Sequence, residues 1–325
     1  MSRLNSDVHP LLTTHLLDIL QKNNIYSSLQ FIRKKPLFLS NITGLQYVQV
    51  LKIRDQILAK YSSSLKRGDK YYKNLINHCA IISSGIDKLD GLLNGGFITG
   101  NIYELCGYEG CGKTQICMTT AIKICSRTPH KVLFFDTKYD ISINRLNQIL
   151  NYEKNLNKNK VLEKIEICHS TTPYKLLNDL HHLKVAFSNS KEKYLGFKII
   201  IIDSISSLFQ LHQVISKGLE FLNDVASVIK FLAFEYQLVI LITNFLTSWI
   251  NSNSLCENES ESDEILNNRK IEKPALGKFW THVPNTRIIV KKKDCSDECL
   301  LTISKSDNLP IIKSAKVYIK NDGVS

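Results

Sequence analysis

The segment Gly107-Tyr108-Glu109-Gly110-Cys111-Gly112-Lys113-Thr114 lies between a strand pattern, Asn101–Cys106, and a helix pattern running from Lys113 to about Ser126. Glycines at these spacings let successive backbone N–H groups turn inward, where a Cβ would obstruct them. A lysine at Lys113 reaches the β- and γ-phosphates of a nucleotide, and a hydroxyl at Thr114 ligates Mg²⁺. The helix that follows points its positive end at the same anion. Strand, loop and helix in that order predict a phosphate-binding loop taking ATP and Mg²⁺, with residues 107–114 as the cradle.

The surrounding pattern agrees. From Ser83 onward, strand candidates at 101–106, 131–136, 164–168, 197–203 and 237–243 alternate with helical stretches near 141–151, 173–188 and 215–235. Ile199-Ile-Ile-Ile202 and Leu238-Val-Ile-Leu-Ile242 are continuously apolar, as strands covered on both faces are. The fold class is therefore α/β, a mostly parallel sheet flanked by helices. Shorter strands near 286–292, 299–304 and 315–320 are expected to extend it in antiparallel fashion.

Residues 1–61 carry helical patterning without strands and predict a small N-terminal helical domain, with Leu45, Val48, Leu51 and Leu58 along one side of its later helix. The polar stretch from Tyr61 to Lys70 places a linker at 62–82, which leaves 83–325 for the nucleotide-binding core. Ser248–Glu272 resists assignment. It is rich in Asn, Ser and acid, five of the acids falling at Glu257, Glu259, Glu261, Asp263 and Glu264, and reads as a mobile loop.

Composition narrows the compartment and the partners. No apolar run approaches the roughly 20 residues that span a bilayer, so no membrane partner is expected, and Met1–Asn24 lacks a secretory signal. The nine cysteines are scattered, which suggests reduced thiols, and the Cys295/Cys299 pair lacks the companions of a zinc site. A net charge of +12 fits a phosphate-rich partner such as nucleic acid, and fits equally a solubilising lysine-rich composition. Lys291-Lys292-Lys293 is one candidate patch for single-stranded DNA, or a solvated strand end.

Other positions bear on catalysis. Asp203 closes the run Ile199–Ile202, and an acid at the carboxyl end of a buried parallel strand lies beside the phosphates, where it orders Mg²⁺ through water. Lys138 follows the strand 131–136 at a place where a water-activating carboxylate would be useful, and an ammonium cannot accept that proton. Asn244 ends the strand 237–243, at a tip that commonly senses the γ-phosphate. Phe245 next to it offers no hydrogen bond.

Several segments together resemble the RecA-type strand-exchange recombinases of eukaryotes. They are Ser84-Gly85-Ile86-Asp87-Lys88-Leu89-Asp90-Gly91-Leu92-Leu93-Asn94-Gly95-Gly96, the loop with Thr114-Gln115-Ile116-Cys117, the strand Ile199–Asp203, the tip Thr243-Asn244 and the closing Asn321-Asp322-Gly323-Val324. The block Lys273-Pro274-Ala275-Leu276-Gly277-Lys278-Phe279-Trp280, with Val283-Pro284-Asn285-Thr286-Arg287, is similar to the D-type paralogue. The resemblance implies a RecA-type P-loop ATPase core, with Gln115 beside the nucleotide and Arg145 stacked on the adenine. It also implies DNA-binding loops at about 209–217 and 246–272.

Departures from that family weigh as much as the matches. Lys138 stands at the family's catalytic glutamate, so no catalytic residue is assigned. Phe245 replaces the glutamine that relays the γ-phosphate state, and the five acids of 257–264 repel a phosphate backbone. The docking motif for self-assembly, expected near Lys66–Asp69, is absent. These features imply an ATP-binding subunit of a hetero-oligomer of recombinase paralogues, nuclear, binding single-stranded DNA and assisting recombinase loading, with weak ATPase at most. The alternative is an active, ATP-driven strand-exchange recombinase.

Overall fold

The structure is a computed structural model, described for all residues except 1–3, 7, 62–66, 154–156, 190–195, 210–215, 250–270 and 294–295. It divides into two compact units, Met1–Asn77 and His78–Ser325.

The first unit is helical: α1 (Thr14–Lys22), α2 (Ser28–Arg33), α3 (Pro36–Thr43), α4 (Tyr47–Tyr61) and all but the last residue of α5 (Gly68–His78). Its helix ends are specified locally. Ser27 and Gln30 form a reciprocal cap at the start of α2. Pro36 opens α3 and Gly44, left-handed, closes it. Leu12, Leu20, Phe31, Leu39, Val50, Ile53 and Ile57 make the core of this unit. Of the apolar residues marking one side of the later helix, Leu45 packs against this core and Val48 and Leu58 are exposed, whereas Val50, Ile53 and Ile57 are fully buried. Both stripes are apolar, but only the second keeps the i, i+3, i+7 spacing of one helix face. Within the stretch read as linker, 68–78 form α5, with Asp69 in its first turn.

The second unit begins with a small antiparallel pair, β1 (Ile81–Ile82) and β2 (Phe97–Ile98), around α6 (Asp87–Leu92). Then come β3 (Ile102–Gly107), α7 (Lys113–Arg127), β4 (Lys131–Asp136), α8 (Ile143–Tyr152), α9 (Lys158–Leu162), β5 (Ile165–His169) and α10 (Pro173–Ser188). The chain continues through β6 (Phe197–Asp203), α11 (Ile205–Phe209), α12 (Ser216–Tyr236), β7 (Val239–Trp249), β8 (Ile271–Pro274) and α13 (Gly277–Trp280). It ends with β9 (Thr286–Lys292), β10 (Glu298–Ser306), β11 (Ser314–Lys320) and β12 (Gly323–Val324).

Among the described residues these strands form one sheet in the order β12-β11-β10-β9-β3-β7-β6-β4-β5, with β8 paired to β7. Strand residues alternate between two cores. Phe134, Ile199, Ile201 and Leu241 face one, with α6, α7 and α8. Leu133, Phe135, Ile200, Ile202 and Ile240 face the other, with α10 and α12. Each such side chain contributes about 1.5–3 kcal/mol by leaving water, and the two-sided covering explains the uninterrupted apolar runs. The RecA-type architecture expected from the sequence is thus observed, with one correction. β9 pairs parallel with β3, and the antiparallel extension starts only at β10. Strand direction follows from the long connection through β8 and α13, which periodicity cannot report.

The segment read as a mobile loop is ordered at its ends. β7 continues past Asn244 to Trp249 and pairs antiparallel with β8, Trp249 opposite Ile271. The acidic cluster 257–264 lies outside the described residues.

Candidate functional site

β3 delivers the chain into the glycine-rich turn. A Cβ at Gly107 would strike Cys111 Sγ and the Val290 carbonyl, so the backbone approaches β9 more closely than any side chain allows. Gly110 and Gly112 are left-handed, with φ of +71° and +95°. Gly112 is also the N-cap of α7 and supplies no side chain, so no side-chain cap closes the first turn of a 15-residue helix. An uncapped start of that length is a place for an anion. Lys113 is buried and turned back on the loop, donating to the carbonyls of Gly107 (2.8 Å) and Tyr108 (2.7 Å).

Asp203 ends β6 beside this turn, 6% exposed. Thr243 Oγ1 donates to its Oδ1 at 2.5 Å, while Oδ2 has no hydrogen-bond partner. Burial pushes this carboxyl above its ordinary value, against the opposing pull of Thr114, Thr243 and the ammonium groups of Lys138 and Lys113. The peptide after it, Asp203–Ser204, is cis. Thr137 braces it, accepting from Ser204 N at 2.8 Å.

Opposite stands Phe245. The Lys138 ammonium lies 4.2 Å from the centroid of its ring and that of Lys113 5.3 Å. With Gly112, Thr114 and Asp203 these three line one cleft of about 500 Å³. Two carboxylates, Glu109 and Asp140, border it as well.

A second cleft, about 790 Å³, adjoins the first at Gly110, Gly112 and Gln115. Arg145 is tied down in its wall. It donates to Gln115 Oε1 (2.8 Å), Gln148 Oε1 (2.6 Å), and the carbonyls of Lys320 (2.6 Å) and Asn321 (3.1 Å). Its planar group is thereby fixed at the rim next to the glycine turn, a placement suited to stacking. Tyr152, two helical turns along α8, lines the same cleft. Sequence reading missed it, although the i, i+7 relation to Arg145 was there to find.

Asn244 is a correction. It is fully buried and does not line the cleft. Its amide donates to Glu104 Oε1 (2.7 Å) and to the Ala275 carbonyl (3.2 Å), which leaves no N–H to sense a phosphate. Glu104 in turn accepts from Trp280 Nε1 (2.7 Å) and is ion-paired with Arg287 Nε. The block 273–287 thus serves to pin the tip of β7.

Of the lysine run, Lys291 is ion-paired with Glu272 at 2.6 Å, while Lys292 and Lys293 border a cleft of about 510 Å³ on the outer side of Tyr108–Cys111. The first expected DNA loop falls largely at 210–215 and the second at 250–270, outside the described residues. Cys79, Cys106, Cys111, Cys117, Cys125, Cys168 and Cys299 are free thiols, and burial raises the pKa values of Cys106 and Cys117 well above the ordinary range. No helix among the described residues is long and apolar enough to cross a membrane.

The residues present fit a nucleoside triphosphate with a divalent cation. An uncapped helix start lies behind left-handed glycines, a buried carboxylate oxygen without a partner sits near Thr114, and two ammonium groups face the same cleft.

Comparison with known proteins agrees with this arrangement. "DNA repair protein RAD51 homolog 4" of Bos taurus is 26% identical over 319 residues, covering 95% of this chain and 93% of that protein. "DNA repair protein RAD51 homolog 2" of Homo sapiens is 26% identical over 347 residues, covering 96% and 86%. A crystal structure of the RadB recombinase shares the fold, with a TM-score of 0.60 at 18% identity over 75% of this chain and 98% of that one. The Rad51 family profile matches residues 76–325. On that match, and with a RecA-type sheet carrying the glycine turn and the strand-end aspartate, the chain belongs to the Rad51 family as a RecA-type paralogue.

Proposed function

We propose that this chain is an ATP-binding subunit of a hetero-oligomer of recombinase paralogues in homologous-recombination DNA repair. It binds single-stranded DNA and assists recombinase loading in the nucleus, with weak ATP turnover at most. The observation that carries the reading is the occupant of the cleft mouth. At the position where the family resemblance expects a water-activating glutamate, this chain has Lys138, whose ammonium rests over Phe245.

The roles follow from the chemistry of the residues. The N–H groups of Gly110–Thr114 and the Lys113 ammonium would hold the phosphates, and Thr114 with Asp203 would hold Mg²⁺, directly and through water. Bound Mg²⁺ supplies charge neutralisation on the phosphate oxygens. Arg145 and Tyr152 would flank the base. A nucleotide held this way and turned over slowly acts as a ligand that stabilises the assembled state. The relatives are named as DNA repair proteins, which supports the repair setting. DNA contact would come from basic surface such as Lys292 and Lys293, with strong salt dependence.

Calorimetric titration with ATP tests the site. Lys113→Ala is expected to weaken binding by tenfold or more, the loss of a charge-assisted contact worth about 1.5–3 kcal/mol. Unchanged affinity would reject the assignment. Turnover with single-stranded DNA tests the role, since brisk hydrolysis and filaments of the chain alone under the electron microscope would sink the subunit reading. One observation favours the alternative of an active recombinase: Asp140 borders the same cleft and is a carboxylate. If turnover is found and Asp140→Asn abolishes it, that residue is the base and the alternative stands.

A further inference from the structure

Lys138 and Phe245 have more in common than the absence of a base. Lys138 leaves β4 half-buried, its backbone fixed by the bond from its N–H to Asp136 Oδ1 at 3.1 Å. Its ammonium meets no carboxylate among the described ion pairs and lies 4.2 Å from the Phe245 centroid. Lys113, from the glycine turn, reaches the same ring at 5.3 Å. Two cations therefore share one neutral aromatic prop in a cleft of about 500 Å³, at the uncapped start of α7. An aromatic face attracts an ammonium through its quadrupole without neutralising it. Asp203 in the same cleft attracts Lys138 from a distance, but no carboxylate closes on it as a salt bridge among the described residues, so the ammonium keeps its hydrogen-bonding face for an incoming anion.

The prop itself is fixed. Phe245 is buried in β7, its N–H bonded to Ser206 Oγ at 3.2 Å. The residue before it is anchored through Asn244 to Glu104. The ring is buried in the core on one face of the sheet, and Lys138 rests against it at the cleft.

We infer that Lys138, positioned by the ring of Phe245, is the residue by which this chain distinguishes a nucleoside triphosphate from a diphosphate. This rests on the nucleotide-binding reading above and adds to it the choice among nucleotides. The glycine turn, and Lys113 through its β-phosphate contact, serve either nucleotide, and the reach of Lys113 to a γ-phosphate is shared with that β contact. The second ammonium in the cleft is the group left over for the charge that only the triphosphate carries. Phe245 is a positioning residue and acts through Lys138.

The test is calorimetric titration of the full chain, in Mg²⁺, with a non-hydrolysable ATP analogue and with ADP. Wild type is expected to prefer the triphosphate. Lys138→Met should weaken the analogue by about tenfold or more, the equivalent of one charge-assisted hydrogen bond, while ADP affinity stays within about threefold. Lys138→Arg should keep the preference. Phe245→Leu should lose a smaller share of it, about threefold, in keeping with one partly exposed cation–π contact, and Phe245→Tyr should retain it. Equal losses for both nucleotides in Lys138→Met, or an unchanged preference, would overturn the inference while leaving the nucleotide site intact. Failure of the wild type to bind either nucleotide overturns the underlying reading as well.

Discussion

Glu104 and Asp203 are both buried carboxylates in the middle of one sheet, on β3 and β6 with only β7 between them, and they have opposite surroundings. Glu104 is fully buried and met on every side, by Arg287, Trp280 and Asn244. Asp203 accepts from Thr243 on one oxygen, while its other oxygen, though Thr114 stands close enough to pull on the carboxyl, has no partner at hydrogen-bond geometry. A satisfied buried charge is a structural element that locks segments together. An unsatisfied one is a debt the fold carries for a ligand. The same residue chemistry thus marks architecture at one position and a site at the other, and the partners alone distinguish them.

Glu104→Ala attacks the satisfied member and should have the largest effect. Removing one side of a buried ion pair leaves the Arg287 guanidinium uncompensated and is expected to destabilise the fold by about 3–5 kcal/mol. Urea denaturation of the purified chain measures it. A loss below about 1 kcal/mol would mean that the network contributes nothing that packing does not already supply.

The two carboxylates were not equally visible beforehand. Asp203 stands at the end of an unbroken isoleucine run, and the glycine turn is contiguous in the chain, so both could be read locally. Glu104 sits in the strand pattern Asn101–Cys106, where nothing local marks an acid for burial, yet every residue of β3 is buried. What rescues the acid comes from 140, 176 and 183 residues away. No periodicity reports such a meeting. Asn244 was misjudged for the same reason: its place at a strand tip was legible, but the partners that take up its amide were not. Nor could the chain announce that Phe245, unable to hydrogen-bond, would serve two lysines through its ring. The parallel pairing of β9 likewise depended on a tertiary choice between locally equivalent options.

Trp280→Phe sharpens the comparison at smaller scale. The ring volume is largely kept, but one N–H bond to a buried charged acceptor disappears, which is worth about 1.5–3 kcal/mol. Denaturation midpoints at unchanged slope would show a stability loss without a change in the unfolded ensemble. Because Asn244 shares the same Glu104 oxygen, the double substitution Trp280→Phe with Asn244→Ala should depart from additivity, and strict additivity would argue against a coupled network.

Asp203→Asn should have the smallest effect on stability and is the sharpest discriminator. The amide keeps the size of the carboxylate and can still accept from Thr243, while the buried charge with its orphan oxygen is removed. Losing the attraction of Lys113 and Lys138 works the other way, so the net change is expected to lie within about 1 kcal/mol, on the stabilising side. The same variant should lose the Mg²⁺-dependent part of its ATP affinity, about tenfold, because an amide is a poor substitute for a carboxylate around a hard cation. Parallel denaturation and Mg²⁺ titration read both quantities. A destabilisation as large as that of Glu104→Ala would make Asp203 a second structural charge, and the orphan oxygen would then no longer point to a ligand. Stability retained with Mg²⁺ dependence lost is the pattern expected where a fold leaves a charge unpaired for what binds there.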